Sequence, residues 1–497
     1  MAERHYCLYP YGLSGLSRGW SKVTGMEALI SREVRLRAEG PVERASTLIC
    51  DGAPGDEAFE LPEARLAVRP VPGSADPAER AALLAVWFDE LWALLHPAAF
   101  TTPGLSPALA GVVYPDGEGE TGPPGSFERI AGHVERRRAR RLVDPEQRFA
   151  DRFQGELDRL PADAEISWSE VFFTESILRW NADPGRRGSR QTLHSFLVIP
   201  DNLVETPPGR RILEALSAVD AVYLQTDVYL RRVARQLEAM ELPVPELHRF
   251  DLPPDLEALR RAIAEPPPPP ASLEALDPRQ RDLVEDALLT RGRIPHRFVC
   301  PDRLDPIKGI HVVLEAVDRF LASLGQPIER LREQYRFYFV TDYYTRFPPV
   351  DRDLAWHRYA DWIRERQIPP FQERWPGIVR FADNIPDRFI WTHLLADAHI
   401  ISGGIQEGLG LAVQEGLVVN HALGRGRAVI MGDGAGFPIQ AREDGLGSYG
   451  FFPSAGDPAA FAHALCEVVS LDAGAHRERT GQMVTRFIEP HRHRLLP

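Results

Sequence analysis

Short apolar runs of five or six residues recur along the first half of the chain, at 5–10, 46–50, 109–114, 164–168, 195–200 and 221–225, and stretches with helix-like spacing separate them. Runs of that length predict buried strands, and their alternation with helices predicts a parallel sheet with crossover connections. Prolines 266–270 then break the pattern, because proline fits neither a helix interior nor a central strand, and the charged stretch up to Arg293 has no strand signal. A second series follows, with strands at 297–300, 336–340, 379–381, 398–402 and 428–431 and helices at 309–324, 388–396 and from Gly410 onward. The expected organisation is an N-terminal Rossmann-like unit over 1–264, a linker over 265–293, a second Rossmann-like unit over 294–475, and a tail over 476–497 that returns to the first unit. Two such α/β units facing each other would bind ligands in the cleft at the carboxyl ends of their strands. No repeat of solenoid type is present.

Composition narrows the classes. A chain of 497 residues exceeds what one core supports, and 44% hydrophobic with 26% charged residues is ordinary for folded protein. The formal charge of −13 argues against a nucleic-acid partner, and the basic cluster at 136–141 reads as a solvated helix face. Cys7, Cys50, Cys300 and Cys466 lie far apart without CxxC spacing, which points away from a zinc ribbon or a disulfide framework and toward the cytoplasm. Neither an apolar signal core nor a run of about 20 apolar residues is found, so no membrane partner is expected. A homo-oligomer stays open. Of 58 basic residues only Lys22 and Lys308 are lysine, and both sit near glycines in loops that read as phosphate-facing.

Candidate chemistry falls in the loops after strands. Arg303 and Lys308 follow the strand at 297–300 and precede a helix, where two cations can neutralise the charge building on a departing diphosphate; the plain alternative is a pair of surface ion pairs. After the strand at 398–402, glycines 403, 404, 408 and 410 allow backbone N–H groups to approach a ligand. Glu407 then falls in the loop and Glu415 about two turns into the helix, both able to accept hydrogen bonds from sugar hydroxyls. The glycines at 432, 434 and 436 suggest a further cleft wall, and Gly15, Arg18 and Lys22 in the first glycine-rich loop face the same phosphates from the other unit. Asp351 and Asp353 have the form of a metal-binding DxD but read better as a helix start, so no metal is expected. His194 is the nearest histidine to the expected acceptor segment. A phosphorylase, an NDP-sugar epimerase and a non-catalytic sensor or scaffold share such an architecture; the two lysines argue against a phosphorylase, which would hold pyridoxal phosphate on one, and the set Arg303, Lys308, Glu407 and Glu415 favours an active enzyme.

Together these residues resemble the retaining glycosyltransferases of the trehalose-6-phosphate synthase family, whose GT-B fold has two facing Rossmann-like domains. Arg303-Leu304-Asp305 and Lys308-Gly309 look like that family's Arg-Leu-Asp and Lys-Gly, which implies diphosphate contacts. Glu407-Gly408-Leu409-Gly410-Leu411 stands where the family has Asp-Gly-Met-Asn-Leu, implying donor-sugar contact by Glu407 and backbone contact to phosphate from Leu409, Gly410 and Leu411. Glu415 matches the glutamate that holds the ribose, and Leu224-Gln225-Thr226 resembles Phe-Gln-Thr. Val198-Ile199-Pro200 replaces the family's His-Ile-Pro near the acceptor, so the resemblance implies a refitted acceptor side, as in relatives that make antibiotics, including transfer to a thiol in lincosamide pathways. The expected co-substrate is a GDP- or UDP-sugar, with no other cofactor, catalysis resting on Arg303, Lys308 and Glu407.

Overall fold

The computed structural model describes residues 5–10, 35–37, 45–52, 57–73, 79, 82–83, 85–101, 105–113, 125–141, 144–186, 188–251, 253–341, 354–383, 385, 387–408 and 410–493. Thirteen strands among them form two sheets. β1 (His5–Tyr9), β2 (Ser46–Gly52), β3 (Phe59–Leu61), β4 (Leu66–Pro72), β5 (Glu165–Ser169), β6 (Arg190–Ser195), β7 (Ala221–Leu224) and β8 (Glu246–Arg249) lie in the order β3-β4-β2-β1-β5-β6-β7-β8. Every neighbouring pair is parallel except β3 with β4. β9 (His296–Cys300), β10 (Tyr335–Thr341), β11 (Val379–Asp383), β12 (His399–Ser402) and β13 (Val429–Met431) form an all-parallel sheet ordered β11-β10-β9-β12-β13.

The second sheet forms where the apolar runs predict it, because helices cover both faces and its strands are buried almost throughout. The chain before residue 294 departs from its pattern in several places, among them β3, β4 and β8, which no expected run marks. Of the run 109–114, expected as a strand, residues 109–113 belong to the helix Pro107–Val113, entered through a proline at its start. The strand expected at 195–200 instead ends at Ser195, and its buried polar residues Gln191, Thr192, His194 and Ser195 hid it. The linker is largely helical: Pro278–Thr290 carries a full capping box between Asp277 and Gln280.

The basic cluster is also not a plain solvated face. Arg137 reaches Asp89 (2.8 Å) and Arg138 reaches Glu90 (3.3 Å), both acids buried on the turn Val86–Leu91, and Arg141 closes on Glu90 as well. Asp89 also accepts the Ala355 N–H (2.8 Å), joining the first half to the helix Ala355–Trp362. Helix Leu256–Ala264 packs its Leu256, Leu259 and Ile263 into the core beside the second sheet. Near the chain end, Glu489 contacts Arg260 and His491 lies 3.7 Å from Asp251.

Candidate active site

Numbered within its own sheet, the second sheet runs 3-2-1-4-5, so β9 and β12 are central neighbours from which the chain departs in opposite directions. That switch point opens a crevice at their carboxyl ends, and the two loops singled out by sequence both emerge there. Asp302 staples them: its carboxylate accepts the Ser402 hydroxyl (2.9 Å) and the Gly403 N–H (2.9 Å). Burial pushes this carboxyl up to about 7; Lys308 opposes the rise and Glu407 adds to it. Asp305 caps the turn Pro306–Lys308 by accepting the Lys308 N–H (3.2 Å), and it holds the Arg303 guanidinium at 3.2 Å. Burial raises its carboxyl too, with Arg303 and Lys308 pulling the other way.

Lys308 and Glu407 are in contact, and Arg303 is joined to Lys308 through Asp305. A third of the Arg303 side chain is exposed, and its guanidinium stands 5.4 Å from the centre of the Trp92 ring, which comes from the first half. The Lys308 ammonium contacts Glu407 Oε1. Glu407 Oε2 is buried and has no hydrogen-bond partner among the described residues. A carboxylate oxygen in that condition carries a desolvation cost that a hydroxyl donor would relieve.

Glu415, on helix Leu411–Ala422, is held by Arg388 (2.7 Å) and by the Trp391 indole N–H (2.8 Å), both from the helix Arg388–Leu395. Its oxygens keep lone pairs for one further donor each. Gly410 precedes that helix and Leu411 opens it. The segment 432–436 backs the loop: Gly436 donates to the Glu407 carbonyl (2.8 Å).

Gly408 is where the two halves meet. A Cβ on it would lie 2.1 Å from the Phe196 carbonyl oxygen and 2.9 Å from Gln225 Nε2. Gln225 is wholly buried and donates to that carbonyl, and Thr226 caps helix Asp227–Ala239. The neighbouring Gln406 accepts the Ala98 N–H (2.8 Å). On the first-half side, Glu170 follows β5 with φ +70° and accepts the Ser195 hydroxyl (2.7 Å) and the Phe196 N–H (3.0 Å). Burial raises its carboxyl to about 7.

The expected acceptor residues are placed in the core, not on the cleft surface. His194 is 3% exposed, packs against Phe196 and Phe250, and is pushed by burial down to about 4; Val198 is 1% exposed. Gly15, Arg18, Lys22, Leu409, Asp351 and Asp353 lie outside the described residues. Sequence reasoning missed Asp302, though it sits in the same loop as Arg303, and Gln406, though it sits in the glycine-rich loop beside Glu407; Trp92 and Glu170 belong to no motif.

No protein-family profile matches the sequence, and no curated protein resembles it in sequence. Among solved structures, the chain is similar to a UDP-forming α,α-trehalose-phosphate synthase from Burkholderia xenovorans in complex with glucose-6-phosphate: TM-score 0.68, 13% identity, covering 98% of this chain and 96% of that one. A synthase of the same description from Burkholderia vietnamiensis gives 0.67 and 13%, covering 97% and 95%. The E. coli trehalose-6-phosphate structure bound with UDP-2-fluoro glucose gives 0.63 and 11%, covering 98% and 95%. The fold is GT-B. In GT-B terms, the Asp302 staple, the Lys308–Glu407 pair and Gly408 all belong to the crevice between the two sheets.

Proposed function

We propose that this GT-B chain is a retaining glycosyltransferase of the trehalose-6-phosphate synthase type, which moves a sugar from a GDP- or UDP-sugar to a small-molecule acceptor. The observation that carries this reading is the trio at the second sheet's switch point: two cations, Arg303 and Lys308, beside a buried carboxylate, Glu407, one oxygen of which has no partner among the described residues. The cations suit a diphosphate and the free oxygen suits a sugar hydroxyl, while Gly410 and Leu411 lie at the start of a twelve-residue helix, where an anion is favoured. Glu415 would accept from the ribose, and Gly15, Arg18 and Lys22 would add phosphate contacts from the first half.

In this reading the acceptor attacks the anomeric carbon from the face the diphosphate leaves, and a phosphate oxygen takes the acceptor proton. The chain positions both partners and stabilises the leaving charge through Arg303 and Lys308, so it needs no protein nucleophile and no metal for that task. A buried Val198 in place of the family's acceptor histidine supports an acceptor other than a sugar phosphate, such as an intermediate of secondary metabolism with an oxygen or thiol nucleophile. The likeness over nearly the whole length of the synthases supports the rival acceptor, a sugar phosphate.

The test is calorimetric titration with UDP, GDP and ADP of the protein and of its Arg303→Ala and Lys308→Ala variants. One nucleotide binds in the micromolar range and weakens about tenfold or more in each variant, the size expected for a lost charge-assisted contact. No binding by any of the three in folded protein defeats the proposal. With the matching sugar nucleotide, turnover on glucose 6-phosphate selects the rival acceptor, and sugar transfer to neither class leaves a sensor or scaffold.

A further inference from the structure

At the opposite edge of the second sheet from the donor loops lies a cavity of about 260 Å³, lined by Arg425, Arg427 and Arg477 together with Gly424, Gly426 and Ala473. Arg427 enters β13 at its amino end, whereas 432–436 leave its carboxyl end, so the strand separates this cavity from the crevice. We infer that the cavity is an anion site for a small phosphate- or diphosphate-bearing molecule, distinct from the donor crevice.

Charge balance points to an anion. Among the described residues, Arg425 and Arg477 make no ion pair and no side-chain hydrogen bond, and Arg427 turns one nitrogen to Asp397 while its buried Nε has no partner. The carboxylates nearby are already engaged. Asp397 holds Arg427, and Asp472 caps the helix Ala473–Met483 by accepting the Ala475 N–H (2.8 Å) while its charge also faces the exposed Arg477, which leaves Arg425 as the arginine with no carboxylate against it among the described residues. Behind the cavity, burial lowers the pKa of Arg291, with Arg297 and Arg425 adding to the effect and Asp397 opposing it. Burial likewise lowers His296, His399 and His476, and the charge of Arg427 contributes at each. The region thus holds more cations than anions.

Its backbone is also fixed. A Cβ on Gly426 would fall 2.0 Å from the Arg477 backbone nitrogen, so the loop 423–427 is pressed onto the helix that carries Arg477. Guanidinium groups on such a frame suit the bidentate geometry of phosphate. The volume lies below the roughly 300–1,000 Å³ usual for drug-sized ligands, which favours a phosphate, a diphosphate or a sugar phosphate over a nucleotide sugar.

The test titrates sodium pyrophosphate at constant ionic strength into an Arg303→Ala/Lys308→Ala variant, whose donor crevice is disabled, and into the same protein with Arg425→Gln and Arg477→Gln added. The expected result is saturable binding in the first and a loss of about tenfold or more in the second, with circular dichroism unchanged. Repeating the titration on the otherwise unaltered chain saturated with nucleotide keeps the test valid should the crevice variant misfold. Absence of pyrophosphate binding once the crevice is disabled or filled, or a loss smaller than tenfold in the glutamine variants, overturns the inference.

Discussion

Replacing Gly408 by alanine adds one methyl group where the two sheets approach each other. The new Cβ would stand 2.1 Å from the Phe196 carbonyl oxygen, more than an ångström inside the roughly 3.3 Å at which carbon and oxygen normally touch. Neither side can yield cheaply. The carbonyl is held by the Gln225 side chain, and the adjacent N–H and the Ser195 hydroxyl are held by buried Glu170. The glycine loop must therefore retreat from the first sheet, and overpacking of that kind costs about 1–3 kcal/mol. Urea unfolding followed by tryptophan fluorescence measures the loss. Gly155→Ala is the control, because Gly155 lies on the exposed face of helix Pro145–Leu157 with nothing within 4 Å of its would-be Cβ, and alanine there should gain about 0.5–1 kcal/mol. Because the retreating loop is the one proposed to hold the diphosphate, nucleotide affinity should fall in Gly408→Ala, and any sugar transfer that needs both halves should fall with it. Equal stability of the two variants, within about 0.5 kcal/mol, would refute the reasoning.

Glu170 has a folded carboxyl pKa raised from 4.5 to about 7, so its burial favours the protonated form. The associated stability is fully present below pH 4.5 and is lost as pH rises through 7. At about 1.4 kcal/mol per pH unit this amounts to about 3 kcal/mol, so unfolding of Glu170→Gln, measured from pH 4 to 8, should lack that decline. Glu443 accepts the N–H groups of Asp227 (3.2 Å) and Val228 (3.0 Å) across the two halves; Glu443→Ala should cost about 1 kcal/mol, the usual value of a helix cap, read from the urea midpoint. Cys466 is exposed, while Cys50 and Cys300 are buried and burial raises the Cys300 thiol well above its usual value, so a thiol reagent should modify Cys466 quickly and the other two only on unfolding.

The second sheet was legible because both of its faces are covered, which writes its strands as apolar runs bounded by loops with chemistry. The same rule misled over 109–113, where a short apolar run is a helix buried on most sides, and periodicity alone does not separate the two. β4 went unread because Pro70 and Pro72 argue against a strand; both lie beyond Val68, where the pairing with β3 ends, so the missing N–H groups fall at an open edge. Arg303, Lys308 and Glu407 were readable from spacing after strands, since strand-to-helix loops in one sheet are forced to one edge. Trp92 and Gln406 were not, because their roles depend on how the two halves face each other, and no local pattern encodes that.

The pairing of Lys308 with Glu407 gives this chain an unusual chemical handle. Apart from the N-terminal amine, the sequence offers only two primary amines, Lys22 and Lys308, so acylating reagents have almost no background to contend with. The Lys308 side chain is 15% exposed and engaged by a carboxylate, so its labelling rate should report how often the crevice opens. A bound anion over that amine would slow the rate further, and peptide mass mapping could then follow crevice occupancy, without a radiolabelled donor or a known acceptor.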